Sequence, residues 1–295
     1  MTTDVLASAK PVPRELAHRA DAPAYITSII RESESRWRLA GNFPDGPLHR
    51  AVDPRYYDLL PLAEVMRQAG EVVAHEGLAV PLSGYRFLMN DLALYLTDQR
   101  GMLASGPGSL SLSVGTADPI YRSGALYKVR FHVRLWRGDL EFARGSGLLM
   151  VLPDALYDRI QPRPTGAIPE PTTPLSPSAV GRTVPSEVLL HEGSAPGWQV
   201  KVDVRRTPFF DHWQDHLPGI VQLEVFRQAA LATAGPHCTI EGIKGNFLGL
   251  IHPDDTFACQ AFQGNDSVVV EFSRQDGRVF TTGEVFLAPS PPLIP

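Results

Sequence analysis

A short helical motif occurs twice in this chain, and its recurrence constrains the fold more than any other feature of the sequence. The segments LPLAEVMRQAG and GIVQLEVFRQAAL are apolar runs interrupted by the same three polar residue types. These are Glu64, Arg67 and Gln68 in the first segment, and Glu224, Arg227 and Gln228 in the second. The two glutamates are 160 residues apart (224 minus 64), and so are the two arginines. A repeat at a fixed offset predicts two copies of one structural unit.

Each copy of the motif is followed by segments with the pattern of antiparallel strands. Between Val129 and Leu135, apolar residues alternate with Arg and His, as in a half-exposed strand. In the second half, Asp276-Gly277 lies between two β-branched runs, which is a strong hairpin signal. If Gly138 is the matching turn residue, the first half has 21 extra residues between helix and hairpin (160 minus 139). We expect this extra length, in or near GMLASGPGSLSLSVGTADPIYRSG, to form a loop or a flap.

The helix predicted from about Pro218 to Ala234 is apolar around nearly its whole circumference. Such a helix is buried rather than amphipathic. Pro218 and Gly219 suit its start, where a missing N–H costs nothing, and Asp58 is a plausible N-cap for the first copy. Each half is therefore predicted to be an α+β unit, with an antiparallel sheet wrapped around one long helix.

A proline-rich segment separates the two halves. PRPTGAIPEPTTPLSPS, residues 162–178, has few apolar residues and is predicted to be an extended linker. The predicted domains are residues 1–161 and 179–295.

Composition and missing motifs exclude several classes of function. The formal net charge of −5 is unlike that of most nucleic-acid-binding proteins. The N-terminal residues lack the apolar core of a secretory signal, and no run is long enough to span a membrane, so we expect a cytoplasmic protein without a membrane partner. The two cysteines do not form a CxxC pair. Walker, GxGxxG and GxSxG motifs are absent, and we expect no cofactor.

The polar stripe of the repeated motif has two explanations. Residues at i, i+3 and i+4 share one helical face, so the stripe could be a solvated ion pair that contributes little to stability. Its recurrence on two apolar helices instead favours a functional face. A buried charge must be compensated, and an anionic ligand at Arg227 would do so.

Two histidines, His212 and His216, lie directly before the second helix in DHWQDHLPG. Taken singly, each is explained as a loop histidine bonded to the backbone or to Asp211 or Asp215. Together, and next to a helix that carries a glutamate, they are candidates for acid–base chemistry. A metal site is a third possibility, but no further ligand is evident nearby, and we expect no metal.

These segments resemble a known fold. A helix that begins with Pro-Gly, has a glutamate five residues after the glycine, and continues with Gln-Ala resembles that of the hotdog-fold β-hydroxyacyl dehydratases. A more specific resemblance is to the A-factor biosynthesis hotdog family, the γ-butyrolactone synthases of actinobacteria. Its signatures appear as VPRELAHR with LPLAEVMRQAGEVVAHEGLAVPLSGYRFLMNDL, and as AVGRTVPSEVLL with FFDHWQDHLPGIVQLEVFRQA. The resemblance covers nearly the whole chain and implies a tandem hotdog fold, with sites between the two hotdogs.

The resemblance also implies a reaction. A β-ketoacyl group would pass from an acyl carrier protein or coenzyme A to a hydroxyl of dihydroxyacetone phosphate, and the ester would lead to a butenolide phosphate. The family members act in the synthesis of γ-butyrolactone signals. The partners implied are the acyl thioester and the phosphotriose, and the chain is expected to be a monomer with two pseudo-equivalent halves or a homodimer.

The same resemblance assigns roles to individual residues. Glu224 would be the general base, and Arg227 would bind the phosphate bidentately. Backbone N–H groups near Gly219 would stabilise the oxyanion, and His212 or His216 would act as an acid or orient the substrate. Arg227 and the helix N-terminus would both lower the pKa of Glu224, whereas a general base needs a raised pKa.

The first half offers a second, pseudo-equivalent site. Glu64 is its candidate catalytic residue, Arg67 and Gln68 are its candidate substrate-binding residues, and Gln228 is the matching glutamine of the second half. Which site is active stays open at this point. Two other functions are considered: a hotdog dehydratase or thioesterase, and a non-catalytic acyl- or butyrolactone-binding regulator.

Overall fold

The computed structural model describes residues 9–19, 24–43, 51, 53–105, 108–161, 172–193, 197–202, 214–274 and 277–288. Contacts within the chain divide it into two compact units, with the boundary between Arg159 and Ile160; residues 51–53 group with the second unit. The proline-rich segment 162–178 is described only from residue 172. There, Pro174 pairs with His191, and residues 177–180 form a 3-10 helix in the second unit. The domain boundaries stay a prediction.

The first unit is an antiparallel sheet against one long helix. Its strands are β1 (Lys10–Pro11), β2 (Ile26–Ser33), β3 (Arg36–Asn42), β4 (Tyr85–Leu96), β5 (Ser109–Arg122), β6 (Ala125–Arg137) and β7 (Leu140–Pro153). They are arranged in the order β1-β2-β3-β5-β6-β7-β4. Helix α1 (Leu59–Leu78) contacts strands β2 to β7, and a short helix α2 (Asp154–Ile160) follows the sheet. The Asp58 side chain accepts a hydrogen bond from the Leu60 N–H and caps α1, as expected.

The second unit repeats this plan with shorter strands. Its strands are β8 (Leu190–Glu192), β9 (Trp198–Val200), β10 (Ile240–Phe247), β11 (Phe257–Gln263), β12 (Ser267–Ser273) and β13 (Val279–Leu287). Their order is β10-β13-β12-β11-β9-β8, which is the order of the corresponding first-unit strands β4, β7, β6, β5, β3 and β2. Helix α3 (Gly219–Ala234) lies against this sheet and begins where the Pro-Gly pair predicts. The expected α+β architecture is therefore present in both units.

Two tight contacts place each helix on its sheet in the same register. A Cβ atom added at Gly145 in β7 would lie 2.3 Å from the Met66 side chain of α1. One added at Gly283 in β13 would lie 2.3 Å from the Phe226 ring of α3. Met66 and Phe226 occupy equivalent positions of the repeated motif, so a glycine admits a large helix side chain in both units.

The extra residues of the first half form longer strands, and the prediction of a loop or flap was wrong. Strands β5 and β6 have 14 and 13 residues, whereas β11 and β12 have seven each. The Gly and Ser residues of this segment suggested a loop. However, Leu110, Leu112 and Val114 alternate with polar residues and are all buried, which is a strand pattern.

Candidate functional site

The polar stripe of α3 is completely buried and forms a compact network. Glu224 is 0% exposed and accepts hydrogen bonds from two arginines and a glutamine. Arg227 donates from Nε to Oε2 at 2.7 Å and from Nη2 to Oε1 at 3.0 Å. Arg182 donates from Nε to Oε1 at 2.8 Å, and its Nη2 lies 2.7 Å from Oε2. The Gln228 amide donates to Oε1 at 2.6 Å. The explanation as a solvated surface ion pair is therefore wrong.

The same side chains hold the segment that precedes the helix in the chain. Arg227 Nη2 donates to the carbonyl oxygen of Val180 at 3.2 Å. Gln228 accepts from the Leu189 N–H at 2.9 Å and donates to the Glu187 carbonyl oxygen at 2.8 Å. The network thus satisfies buried backbone groups that would otherwise be left without partners.

The two arginines determine the protonation state of Glu224. Burial alone raises the pKa of a carboxyl group, but the positive charges of Arg182 and Arg227 outweigh that effect and lower the pKa of Glu224 to about 2. Glu224 is therefore ionised at neutral pH and tightly bonded.

The first unit contains the corresponding network. Arg67 donates to both Glu64 oxygens at 2.7 Å, and Gln68 donates to Glu64 at 2.9 Å. Arg19 takes the place of Arg182, with its Nη1 3.4 Å from Glu64 Oε1. Arg67 Nη2 also approaches the carbonyl oxygen of Ala17 at 3.4 Å, as Arg227 does with Val180. The two motifs therefore make the same kinds of contact.

One residue distinguishes the first network from the second. Glu71, one turn after Arg67, accepts a hydrogen bond from Arg67 Nη1, and its position corresponds to Leu231 in α3. Glu71 is buried, and among the residues that the structure describes its Oε2 atom has no hydrogen-bond partner. Burial raises the pKa of Glu71 to about 7; Arg67 opposes this effect and Glu64 adds to it. The first unit therefore contains a buried carboxyl group that titrates near neutral pH.

A histidine lies three residues before the start of α3. His216 Nδ1 lies 2.8 Å from Asp215 Oδ1, and the pair is partly exposed. Gly219 is the first residue of α3, where backbone N–H groups have no acceptor within the helix. Histidine side chains are common general acids and bases, and N–H groups at a helix start can stabilise negative charge on an oxygen. His212 lies outside the described residues.

Two features are absent from the part of the chain that the structure describes. Within the described residues, no group of three or more His, Cys, Asp or Glu side chains has an arrangement that could hold a metal ion. In the same part of the chain, no helix has both the length and the apolar character needed to cross a membrane.

Sequence reasoning missed three members of the networks, namely Arg19, Arg182 and Glu71. Arg182 is 42 residues from Glu224, and only the parallel between HR in VPRELAHR and GR in AVGRTVPSE pointed to it. Glu71 stands at i+4 from Arg67, a spacing at which opposite charges pair, but the second copy of the motif has no counterpart.

Solved structures of thioesterases share the architecture. An acyl-ACP thioesterase from Bacteroides thetaiotaomicron superposes with a TM-score of 0.56 at 11% identity, over 85% of this chain and 98% of its own. An oleoyl thioesterase (putative) from Lactobacillus plantarum gives 0.53 at 13% identity, over 87% and 97%. At these identities the likeness concerns the fold alone, and it defines the class: a tandem hotdog protein.

Sequence comparison gives the family within this class. Residues 165–281 match the model of the A-factor biosynthesis hotdog domain. The 2-oxo-3-(phosphooxy)propyl 3-oxoalkanoate synthase of Streptomyces virginiae is 34% identical over 75% of this chain and 76% of the relative. The enzyme of the same name from Streptomyces coelicolor is 30% identical over 81% and 77%. The chain belongs to the A-factor biosynthesis hotdog family, which confirms the resemblance of its motifs.

Proposed function

We propose that this protein is an acyltransferase that moves a β-ketoacyl group from a carrier-protein or coenzyme A thioester to a hydroxyl of dihydroxyacetone phosphate. One observation carries the proposal: relatives that match three quarters of the chain are named synthases of a 3-oxoalkanoate ester whose alcohol part is 2-oxo-3-(phosphooxy)propyl. The alcohol in that name is dihydroxyacetone phosphate, and the acid is a β-keto acid.

The reaction is balanced without a cofactor. The hydroxyl oxygen of the phosphotriose attacks the thioester carbonyl carbon, and a C–O bond forms. The C–S bond then breaks, and the proton lost by the hydroxyl ends on the departing thiolate. One group that accepts this proton and later donates it serves both steps.

We assign that proton transfer to His216. Its Nδ1 is bonded to Asp215, which orients the ring, and we propose Nε2 as the nitrogen that exchanges a proton with substrate. Glu224 was predicted as the base, but its pKa of about 2 makes it a weak proton acceptor. We therefore propose that Glu224 orients Arg227 and Gln228, while His212 stays a candidate acid from the sequence alone.

Binding of the substrate is proposed to involve the first turns of α3. The N–H groups at Gly219 would stabilise the oxyanion that forms on the thioester carbonyl. Arg227 is the proposed phosphate-binding residue. Its Nε and Nη2 atoms donate to Glu224 in this structure, so a phosphate bound bidentately would exchange with that carboxylate. Gln228 also donates to Glu224. Glu64, Arg67 and Gln68 form the corresponding group in the first unit.

The proposal is tested by following thiol release from a β-ketoacyl thioester with and without dihydroxyacetone phosphate. Dihydroxyacetone, which lacks the phosphate, is the matched acceptor. We expect release to require an acceptor and to saturate at much lower concentrations of the phosphorylated one. Release that is equally fast without any acceptor would mean that the protein is a thioesterase and would refute the proposal.

Two matched variants test the phosphate assignment. Arg227→Lys keeps a positive charge but loses the bidentate geometry, and Arg67→Lys makes the same change at the equivalent position of the first unit. We expect the KM for dihydroxyacetone phosphate to rise in Arg227→Lys and to change little in Arg67→Lys. The reverse result would move the phosphate to the first unit.

A further inference from the structure

The first-unit sheet carries a concentration of arginines on the face that is turned away from α1. Buried and exposed residues alternate along β3 and β6, so one face of each strand packs on the core and the other meets solvent. The outward residues are mostly basic: Arg36 and Arg38 on β3, Arg130, His132 and Arg134 on β6, and Arg144 on β7.

Strand register places these basic residues on both sides of β5. Arg38 lies opposite Ser113, and Ser113 lies opposite Arg134 on its other side. The outward residues of β5 are all small, namely Ser111, Ser113, Gly115 and Ala117. They form the floor of a shallow channel, the β5 groove, whose walls are the longer side chains of β3 and β6.

The arginines have carboxylate partners, but the ion pairs on the groove walls are exposed. Four of the five arginines share three carboxylates: Glu32, Asp91 and Glu141. The side chains of Arg38 and Arg134 are 58% and 54% exposed, and exposed pairs contribute little to stability, so they can exchange partners. The face therefore has an excess of positive charge, although the formal net charge of the chain is −5.

The second unit has the opposite charge at an equivalent position. Gly145 and Gly283 are equivalent, because each admits a large side chain of its own helix. The residue opposite each glycine is followed by Arg134 in β6 and by Glu271 in β12. A basic residue on one wall of the groove is thus replaced by an acidic one in the second unit.

The groove floor also differs between the two units. By the same register, Ser113 corresponds to Gln260 of β11, and Gly115 corresponds to Phe262. The Phe262 ring is 52% exposed on the outer face of the second unit. Longer side chains therefore stand on β11 where the floor of β5 is bare, and the groove is a feature of the first unit.

The width of the β5 groove suits an α-helix. Neighbouring strands are about 4.8 Å apart, so the walls on β3 and β6 are separated by about 10 Å. A helix with its side chains is about 10–12 Å wide. Carboxylates at i, i+3 and i+4 share one helical face, and from the groove they would reach the arginines of both walls.

Charge distinguishes between the occupants that could fill the groove. In a symmetric dimer that used this face, arginines would meet arginines, and like charges across an interface are unfavourable. A nucleic acid would meet Glu32 and Glu141 along with the arginines, on a chain that is acidic as a whole. An acidic helix of a partner protein meets neither obstacle.

We propose that the β5 groove is the docking surface for an acidic helix of the carrier protein that delivers the β-ketoacyl thioester. The inference rests on the proposed function, which has a carrier-bound thioester as one of its two donors, and it names the surface that recognises this donor. Because the second unit has no such groove at the equivalent strands, the two pseudo-equivalent units differ in this role.

Charge reversal on both walls tests the docking surface. Arg36→Glu/Arg134→Glu changes one arginine of each wall, and its second substitution copies Glu271. Arg14→Glu/Arg100→Glu is the matched control: it changes the net charge by the same amount, and both arginines are exposed in 3-10 helices outside the sheet. Thermal melting establishes that each variant is folded.

Binding is measured by calorimetry with a recombinant acyl carrier protein that bears an unacylated phosphopantetheine arm. We expect the Kd to rise at least about tenfold in the groove variant and to stay unchanged in the control. Binding by the wild-type protein should also weaken as salt screens the charges. Equal affinity of the wild-type protein and the groove variant, or an equal loss in the control, would overturn the inference.

A kinetic comparison separates docking from the chemistry of the reaction. The same β-ketoacyl group is supplied on the carrier protein or on coenzyme A, which has no acidic helix. We expect kcat/KM to fall at least about tenfold in the groove variant with the carrier donor and to keep the wild-type value with coenzyme A. Equal losses with both donors would refute docking at this groove. Weaker carrier binding by the groove variant supports the surface even if the wild-type protein forms no ester.

Two further measurements check the other occupants. A short DNA duplex that displaces the carrier protein from the wild-type chain, but binds the groove variant weakly, would assign the groove to nucleic acid. Sedimentation that shows a wild-type dimer and a monomeric groove variant would assign it to a second copy of the chain. Either result would contradict the inference, whereas a duplex that does not compete and an unchanged oligomeric state support it.

Discussion

Arg182 and Glu224 form an ion pair from which water is almost excluded. The side chains are 2% and 0% exposed, and Arg182 Nη2 lies 2.7 Å from Glu224 Oε2. Arg182 belongs to the segment before α3, so the pair fastens that segment to the helix that carries the proposed site. Because both side chains are buried, removing one charge would leave the other poorly compensated in a medium of low polarity, and this would destabilise the fold.

Replacement of Arg182 is therefore expected to destabilise the protein strongly. In Arg182→Ala we expect the free energy of unfolding to fall by about 3–5 kcal/mol, measured by urea denaturation. Arg38→Ala is the matched control: Arg38 pairs with Glu32 but its side chain is 58% exposed, and we expect a loss of about 0–1 kcal/mol. Equal losses in the two variants would mean that the buried network does not hold the segment.

Glu71 is expected to make the stability of the first unit depend on pH. Its pKa is raised to about 7 in the folded protein, above the 4.5 of an unperturbed glutamate. The unfolded state therefore binds fewer protons than the folded state between these values, and stability falls as pH rises from 4.5 to 7. Above that range the loss is complete, and its size is on the order of 3 kcal/mol.

Glu71→Gln removes the titrating group and should flatten this pH dependence, measured as the free energy of unfolding at several pH values. Glu76→Gln, on the same helix but more exposed, is the control and should keep the wild-type slope. If wild type and Glu71→Gln show the same slope, the folded protein does not protonate Glu71.

The close contact between α3 and its sheet gives a prediction about packing. A methyl group at Gly283 would lie 2.3 Å from the Phe226 ring, which is buried and cannot rotate away. Gly283→Ala should therefore destabilise the protein by about 1–3 kcal/mol. Gly108→Ala adds the same methyl group where nothing lies within 4 Å and should be close to neutral. A melting temperature that is unchanged in Gly283→Ala would contradict this register of helix and sheet.

His216 carries the proton transfer in the proposed mechanism. His216→Ala is expected to lower kcat by about 10²–10⁴-fold, without a comparable loss of stability, because the side chain is partly exposed. His237→Ala, an exposed histidine just after α3, is the matched control. Wild-type turnover in His216→Ala would transfer the proton-accepting role to another group.

Local pattern was sufficient to predict both helices and their polar stripes. The apolar circumference of residues 218–234 required burial, and the repeated spacing of Glu64 with Arg67 required two similar units. Both conclusions follow from periodicity, which is a property of neighbouring residues. The partners of the stripes were not predictable in this way. Arg182 and Arg19 meet the glutamates only through the folded path of the chain.

Amino-acid composition was misleading where it disagreed with the alternation of apolar and polar residues. The region of β5 is rich in Gly and Ser, and this suggested a loop. The buried leucines at every second position were the stronger signal, because a paired strand needs only one apolar face.

The most direct test of the account is to run the reaction in H₂¹⁸O and identify the products by mass spectrometry. The β-ketoacyl thioester and dihydroxyacetone phosphate are supplied together, so the acyl group can pass either to the phosphotriose or to water. We predict a phosphotriose ester, or the butenolide phosphate formed from it, with no ¹⁸O in the acyl carbonyl group at early times. A ¹⁸O-labelled free β-keto acid as the main product, in the same yield without dihydroxyacetone phosphate, would contradict acyl transfer.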